Sequence, residues 1–246
     1  MAIQTQGLLF LLIVLLSNII QCITGFAGTV LAMPFSVILI GDAPAKAILN
    51  VLGAAASVGV VIPGFRKINK KEFLKIVGFM MPGIISGYFL SQLLASAVRV
   101  AHILLGSIVI LFAILNFVKL FSKKEAKKPG PVLSAVILLA SGLIHGVFVC
   151  GGPLLVTYAS RQFDDTEEFR STLSAVWIVL NGIMIVSHWQ SGYFARETLF
   201  LLAISLVILV AAVLIGNLIA KKLSKKVFLV LSYVLMIISG LSLLIQ

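Results

Sequence analysis

Acidic side chains are scarce in this chain: eight Asp and Glu stand among 246 residues, against nineteen Lys and Arg. The long apolar runs hold none of them in their central parts. A cation carrier, or a proton relay built on carboxylates, normally keeps at least one there. Charge of either sign makes up 11% of the residues, whereas 61% are hydrophobic and the mean hydropathy is +1.18. A soluble protein of this length could not cover such a surface with polar atoms. Only two cysteines occur, Cys22 and Cys150, both inside apolar stretches, so no disulfide framework is expected. There is no G-x-x-x-x-G-K-[ST] motif, which argues against ATP-driven pumping by this chain; no cofactor or metal is expected. The opening MAIQTQ lacks a basic stretch, and no small-residue cleavage pattern follows its apolar run, so the first segment is expected to be retained.

What the chain does have is length in its apolar runs. They fall at about 7–40, 44–64, 73–98, 100–118, 131–159, 171–194, 198–220 and 227–245. Several approach or exceed the roughly 20 residues that a spanning helix needs. Barrel strands are shorter and alternate, so the expectation is an all-α polytopic membrane protein. The charged stretch FSKKEAKKPGP divides the chain almost in half. We take 1–121 as a first transmembrane repeat, 122–130 as a cytoplasmic linker and 131–246 as a second repeat.

The halves resemble each other. SNIIQCITGFAG (17–28) lies over SGLIHGVFVCGG (141–152) without a gap, pairing Gln21 with His145 and Gly28 with Gly152. Lys71-Glu72 then matches Arg196-Glu197, and Gly87 matches Gly216. The same order on both sides of the linker indicates a duplication.

The net charge of +11 does not indicate nucleic acid, because the basic residues cluster between apolar runs. Loops at 66–75, 119–128, 160–170 and 221–226 hold sixteen of the nineteen basic residues, Arg161 and Arg170 among them. Placing these loops in the cytoplasm leaves the loop near 190–197, the repeat partner of 66–75, outside. The halves then cross the membrane in opposite senses. Each must make an odd number of crossings, so its first segment must leave on the side it entered. The runs 7–40 and 131–159 are too long for one span and short for two. We therefore expect two inverted-topology repeats, each a broken or re-entrant first segment followed by three transmembrane helices. The folds are expected near Gly25–Gly28 and Val149–Pro153, with both termini outside the cytoplasm.

Non-helical backbone at membrane depth is costly unless protein or a water-filled cavity supports it. Broken helices in inverted-repeat transporters turn half-helix N-termini toward the substrate near the midplane. GFAGT and CGGP suit close approach of an anion to backbone N–H groups, and Pro153 suits the first turn of a new helix. Polar groups in the apolar runs include Gln21, Thr29, Asn50, His145, Thr157, Ser174 and Asn181, most of them hydrogen-bond donors. The expected substrate-binding set is Gln21, Gly25, Gly28, Thr29, Asn50, His145, Gly151, Gly152, Pro153 and Ser174. His145 is the one titratable group at a break. His102 and His188 lie nearer segment ends and read as structural. Close helix packing is the other use of glycine in such segments.

At GFAGTVLAMPF and GLIHGVFVCGGP the chain resembles the TauE/SafE family of sulfite exporters, also called the toluenesulfonate uptake permease family. The resemblance covers essentially the whole chain. The second motif is commonly G-x-x-x-G-x-x-G-x-G-G; here Val149 and Cys150 occupy part of that run. The resemblance implies a non-enzymatic secondary carrier of the bacterial inner membrane, moving sulfite, sulfoacetate or another organosulfonate, with the lipid bilayer as its surroundings. A coupling proton or sodium ion is compatible with it. The residues alone reach a small anion. An anion channel of the same architecture, or a membrane subunit of a larger complex, remains the alternative, and the residues do not specify an oligomeric state.

Overall fold

A computed structural model describes residues 2–93, 98–121 and 129–245, and all secondary structure among them is helical. In chain order the helices are α1 (Ala2–Thr24), α2 (Ala27–Ile40), α3 (Asp42–Gly64, continued by a 3-10 turn at Phe65–Lys67), α4 (Lys70–Leu93) and α5 (Val98–Phe121). Beyond the linker follow α6 (Pro131–Phe148), α7 (Gly152–Ala159), α8 (Thr166–Gln190), α9 (Arg196–Ala220) and α10 (Lys225–Ile245). Among the described residues, six helices (α1, α3, α4, α6, α8 and α9) are long and apolar enough to cross a membrane. Residues 122–128 of the linker and the side chain of His102 lie outside the described residues.

Both long apolar runs are interrupted. The first divides into α1 and α2 at Gly25 and Phe26, the second into α6 and α7 at Val149–Gly151. A divided segment followed by three helices thus occurs on each side of the linker. The limbs are unequal. With 23 residues, α1 extends about 34 Å, as much as the hydrocarbon core is thick. The first break therefore ends a span-length helix and does not bisect one.

The chain forms two compact units, Met1–Lys67 with Arg170–Leu223, and Ile68–Phe169 with Ser224–Gln246. Each unit draws helices from both sides of the linker. In the first, α1 packs on α2, α3 and α9, and α3 packs on α2 and α9. In the second, α4 packs on α6, α5 on α10, and α7 on α6 and α5.

Local chemistry sets the helix starts. Asn69 caps α4, its Oδ1 accepting the Glu72 N–H at 3.1 Å. Asp165 caps α8, its Oδ1 accepting the Glu167 N–H at 2.8 Å, and Glu167 and Glu168 place negative charge at the positive end of the helix. This start precedes the apolar run at 171. It draws Arg170, expected in the loop at 160–170, into the helix, where it is 8% exposed. Arg170 is buried because the capped first turn carries it inward with the helix.

Packing in the second unit depends on backbone contact. Gly83 and Gly87 of α4 face Gly142 and Gly146 of α6. A Cβ at Gly87 would lie 2.2 Å from the Leu143 carbonyl oxygen, and one at Gly142 would lie 2.2 Å from that of Met80. These are paired small-x-x-x-small stripes, which let helices in lipid approach closely where no hydrophobic effect drives them together. The outward faces are apolar: Val207, Val210, Leu214 and Leu218 of α9 are 61–73% exposed, as suits hydrocarbon. Gly87→Ala and Gly142→Ala are each expected to lower stability by about 1–3 kcal/mol through overpacking against backbone. Gly78→Ala, where a Cβ meets nothing within 4 Å, leaves the melting midpoint in place or raises it. Thermal unfolding of the detergent-purified variants reads this difference directly.

Candidate functional site

The first break is a hairpin. Gly25 turns the chain at φ +82, a conformation that L side chains rarely adopt, and its N–H donates to the Gln21 carbonyl at 2.7 Å. The chain then folds back so closely that a Cβ at Gly28 would lie 2.6 Å from both Gln21 Cβ and the Ser17 carbonyl oxygen. The opening N–H groups of α2 are taken up by side chains of α1. Thr24 Oγ1 accepts from Phe26 at 3.3 Å and from Ala27 at 3.1 Å. Gln21 Oε1 accepts from Gly28 at 2.8 Å. Gln21, expected beside these donors, thus engages one of them itself.

The other end of this break carries a cation. The Arg170 Nε donates to the Cys22 carbonyl at 2.6 Å, and an Nη donates to Asn217 Oδ1. Cys22 lies in the last turn of α1, whose carbonyls have no helical partner, so the guanidinium sits at the negative end of that helix. Asn217 Nδ2 in turn donates to the Gly59 carbonyl at 3.0 Å, tying α9 to α3. The Arg170 backbone also backs the turn: a Cβ at Gly25 would lie 3.2 Å from its carbonyl oxygen.

The second break does related work with other residues. The Val149 N–H donates to the His145 carbonyl at 2.8 Å, and Val149 sits at φ 58, the left-handed region. A β-branched residue there is strained. Ser141 Oγ donates to the Gly151 carbonyl at 2.7 Å, and the Gly151 N–H points to His145 Nδ1 at 3.5 Å. Gly151 precedes α7, whose first turn holds Gly152 and Pro153, where proline's missing N–H removes no bond. A Cβ at Gly151 would lie 2.4 Å from the Ser141 carbonyl oxygen, so this segment too folds back on itself. Cys150 is buried and forms no disulfide.

Thr29, Asn50 and Ser174 belong elsewhere, on a polar seam in the first unit where α3 and α8 cross. Asn50 Nδ2 meets His188 Nδ1 at 3.4 Å. A Cβ at Gly53 would lie 3.0 Å from Asn181 Nδ2 and 3.2 Å from Thr29 Oγ1, and one at Gly64 would lie 2.1 Å from Ser171 Oγ. Contacts that climb α3 descend α8, so the two helices run antiparallel. Ser174, Asn181 and His188 recur at intervals of seven along α8, and all are buried. The Oγ of Ser174 and Oδ1 of Asn50 are buried without a hydrogen-bond partner. His188, expected to be structural, stacks on Tyr193 at 5.1 Å and joins the seam.

The structure thus gathers Gln21, Gly25 and Gly28 at one break and His145, Gly151, Gly152 and Pro153 at the other. Thr29 and Asn50 join Asn181 and His188 in the seam. Sequence reasoning did not single out Arg170 or Gly53. Asp165 with Glu168 three positions on is a capping-box pattern, and it would have placed Arg170 inside a helix. Gly53 had no such signal.

A family model described as sulfite exporter TauE/SafE matches residues 9–243. No curated protein and no solved structure matches the chain.

The two breaks respond to substitution in opposite directions. Val149→Gly releases a left-handed β-branched residue and is expected to raise stability by about 1 kcal/mol or more. Gln21→Leu strips the buried Gly28 N–H of its acceptor and is expected to lower stability by about 1–3 kcal/mol. Melting curves of both variants beside the parent test the two signs together.

Proposed function

The chain belongs to the sulfite exporter TauE/SafE family, whose members are membrane transporters, and on that footing we propose that its cargo is a small sulfur-containing anion such as sulfite, sulfoacetate or another organosulfonate. The observation that carries the anionic reading is Arg170, a buried guanidinium at the first break. In apolar surroundings an arginine costs about 2.5–3.5 kcal/mol even on the most lenient insertion scales. Its Nε donates to the Cys22 carbonyl and an Nη to Asn217 Oδ1, which hold the guanidinium at the break. A guanidinium held there places positive charge where an anion reaching the break would meet it.

The mechanism we assign is alternating access by two inverted-topology repeats. Two pairs of helices in matching positions of the repeats support it. α3 and α8 each follow a divided segment, and they pack antiparallel. α5 and α10 each close a half, and Gly106 meets Gly240 and Leu244 while Gly240 meets Ile110, again antiparallel. Equivalent helices that pair antiparallel are related by an axis across their length, the relation that inverted repeats have in a membrane. The basic loops would then face the cytoplasm and both termini the outside, with the bacterial inner membrane as the setting. At each break the side chain that accepts a backbone N–H, Gln21 Oε1 or His145 Nδ1, stands where an oxygen of the anion would bind. In this reading Gly25, Gly28, Gly151 and Gly152 let the anion reach the backbone, and Pro153 starts the second limb.

Flux into proteoliposomes of labelled sulfite and sulfoacetate tests this reading. Transport by the purified chain is expected to saturate at carrier-like turnover. Arg170→Gln should reduce it about tenfold or more, the scale of a lost charge-assisted hydrogen bond. Arg170→Lys, which keeps the charge but not the fork, should retain part of it. Parental flux in a folded Arg170→Gln variant would remove the arginine from anion binding.

A further inference from the structure

The short limb α7 is strained where it leaves the second break and gripped near its other end. It has eight residues, Gly152–Ala159, and all are buried. At about 1.5 Å per residue it is roughly 12 Å long. Just before it stands Val149, a β-branched residue at φ 58. Such a conformation persists only where its surroundings hold it. Near the far end Tyr158 is 0% exposed, and its hydroxyl donates to Glu72 Oε2 of α4 at 2.5 Å. An O–H on a carboxylate makes a short, charge-assisted bond. The Lys75 ammonium lies 5.1 Å from the centroid of the same ring, so α4 grips Tyr158 twice. Glu72 is itself fixed: its N–H donates to Asn69 Oδ1 at 3.1 Å, and Asn69 Nδ2 donates to Glu168 Oε1 at 2.9 Å. All these residues belong to the second unit.

The need to satisfy a buried hydroxyl accounts for the Tyr158 bond taken alone. It does not account for the strained turn at the other end of the same limb. Glycine takes the left-handed region freely, and it already stands at 151 and 152. A limb that had only to stay closed would be better served by glycine at 149 as well. Valine there raises the free energy of the closed limb, and the bond to Glu72 lowers it. Left-handed strain and a hydrogen bond to a charged group are of comparable size. Two opposed contributions of that kind leave a closed and an open form near each other in free energy, as a moving part requires. Thr157, the other polar side chain of α7, donates to the Pro153 carbonyl within the helix at 3.2 Å, so the limb can turn as one piece.

We propose that α7 is a gate on the second break, hinged at Val149 and latched by the Tyr158 hydroxyl on Glu72. Its purpose rests on the alternating-access reading; its test does not. Opening swings α7 away from the end of α6 and uncovers the Val149–Gly151 turn. Tyr158 and Glu72 are then positioning residues, which set how often the turn is reached without touching the anion.

Cys150 lies in that turn and is 2% exposed, so its modification by N-ethylmaleimide reports opening. The detergent-purified protein is labelled without substrate, and each thiol is followed by peptide mass spectrometry. Cys22 reports on the first unit in the same sample. Val109→Cys, placed in every background, reports on the second unit away from the limb, because Val109 is 1% exposed on the α5 face that carries Gly106 and Ile110. Tyr158→Phe keeps the ring under Lys75 and removes only the O–H. It is expected to speed modification of Cys150 about tenfold or more. Glu72→Gln, which keeps an acceptor without the charge, should give a smaller increase. Val149→Gly should slow modification about fivefold, because the closed limb loses its strain. Cys22 and the Val109→Cys thiol should keep their parental rates throughout. A parental Cys150 rate in Tyr158→Phe overturns the latch, and faster modification in Val149→Gly overturns the hinge. Equal acceleration of the Val109→Cys thiol assigns the effect to a loosened unit and overturns the gate. Absence of sulfite and sulfoacetate flux in the parent overturns the transport reading, and the thiol rates still decide the gate.

Discussion

Every helix break within an apolar environment exposes backbone N–H and C=O groups that water cannot reach, and the rest of this structure depends on how those groups are satisfied. At the first break the donors at positions 26–28 go to Thr24 and Gln21, and the Cys22 carbonyl goes to Arg170. At the second, Ser141 reaches the Gly151 carbonyl and His145 faces the Gly151 N–H. In both cases the second limb folds back over the first, and the acceptor of the N–H comes from the last turn or two of the first limb. The hairpin and its hydrogen bonds are one device, since only a tight fold-back brings the end of one limb to the start of the next.

The two devices occupy corresponding places in the sequence of the two halves. The register that aligns Ser17 with Ser141 aligns Gln21 with His145, and these two residues perform the same task with different chemistry. It further aligns Asn50 with Ser174 and Ser57 with Asn181, all polar residues. Other aligned positions differ in their contacts. Lys46 aligns with Arg170, yet Lys46 pairs with Asp42 one turn away on its own helix, while Arg170 reaches across to α1 and α9. The aligned positions thus hold a buried cation in one half and a local ion pair in the other.

Most of the fold was legible because hydrocarbon imposes a length and a composition on each span, and among the described residues the eight apolar runs became ten α-helices with breaks at the glycine-rich positions. The glycines there were ambiguous, since a turn, a packing contact and a ligand approach all select the same residue. Only the neighbours separate them: Gly25 is a turn by its φ, Gly142 a packing contact by the Met80 carbonyl, and Gly53 a close contact with the polar side chains of Asn181 and Thr29. Arg170 was hidden for another reason. Basic residues beside apolar runs orient a membrane protein on average, and that average says nothing of one arginine whose helix begins a turn early. Val149 shows the converse. The family pattern commonly has glycine there, and the left-handed backbone explains why, although this chain carries a β-branched residue in the same conformation.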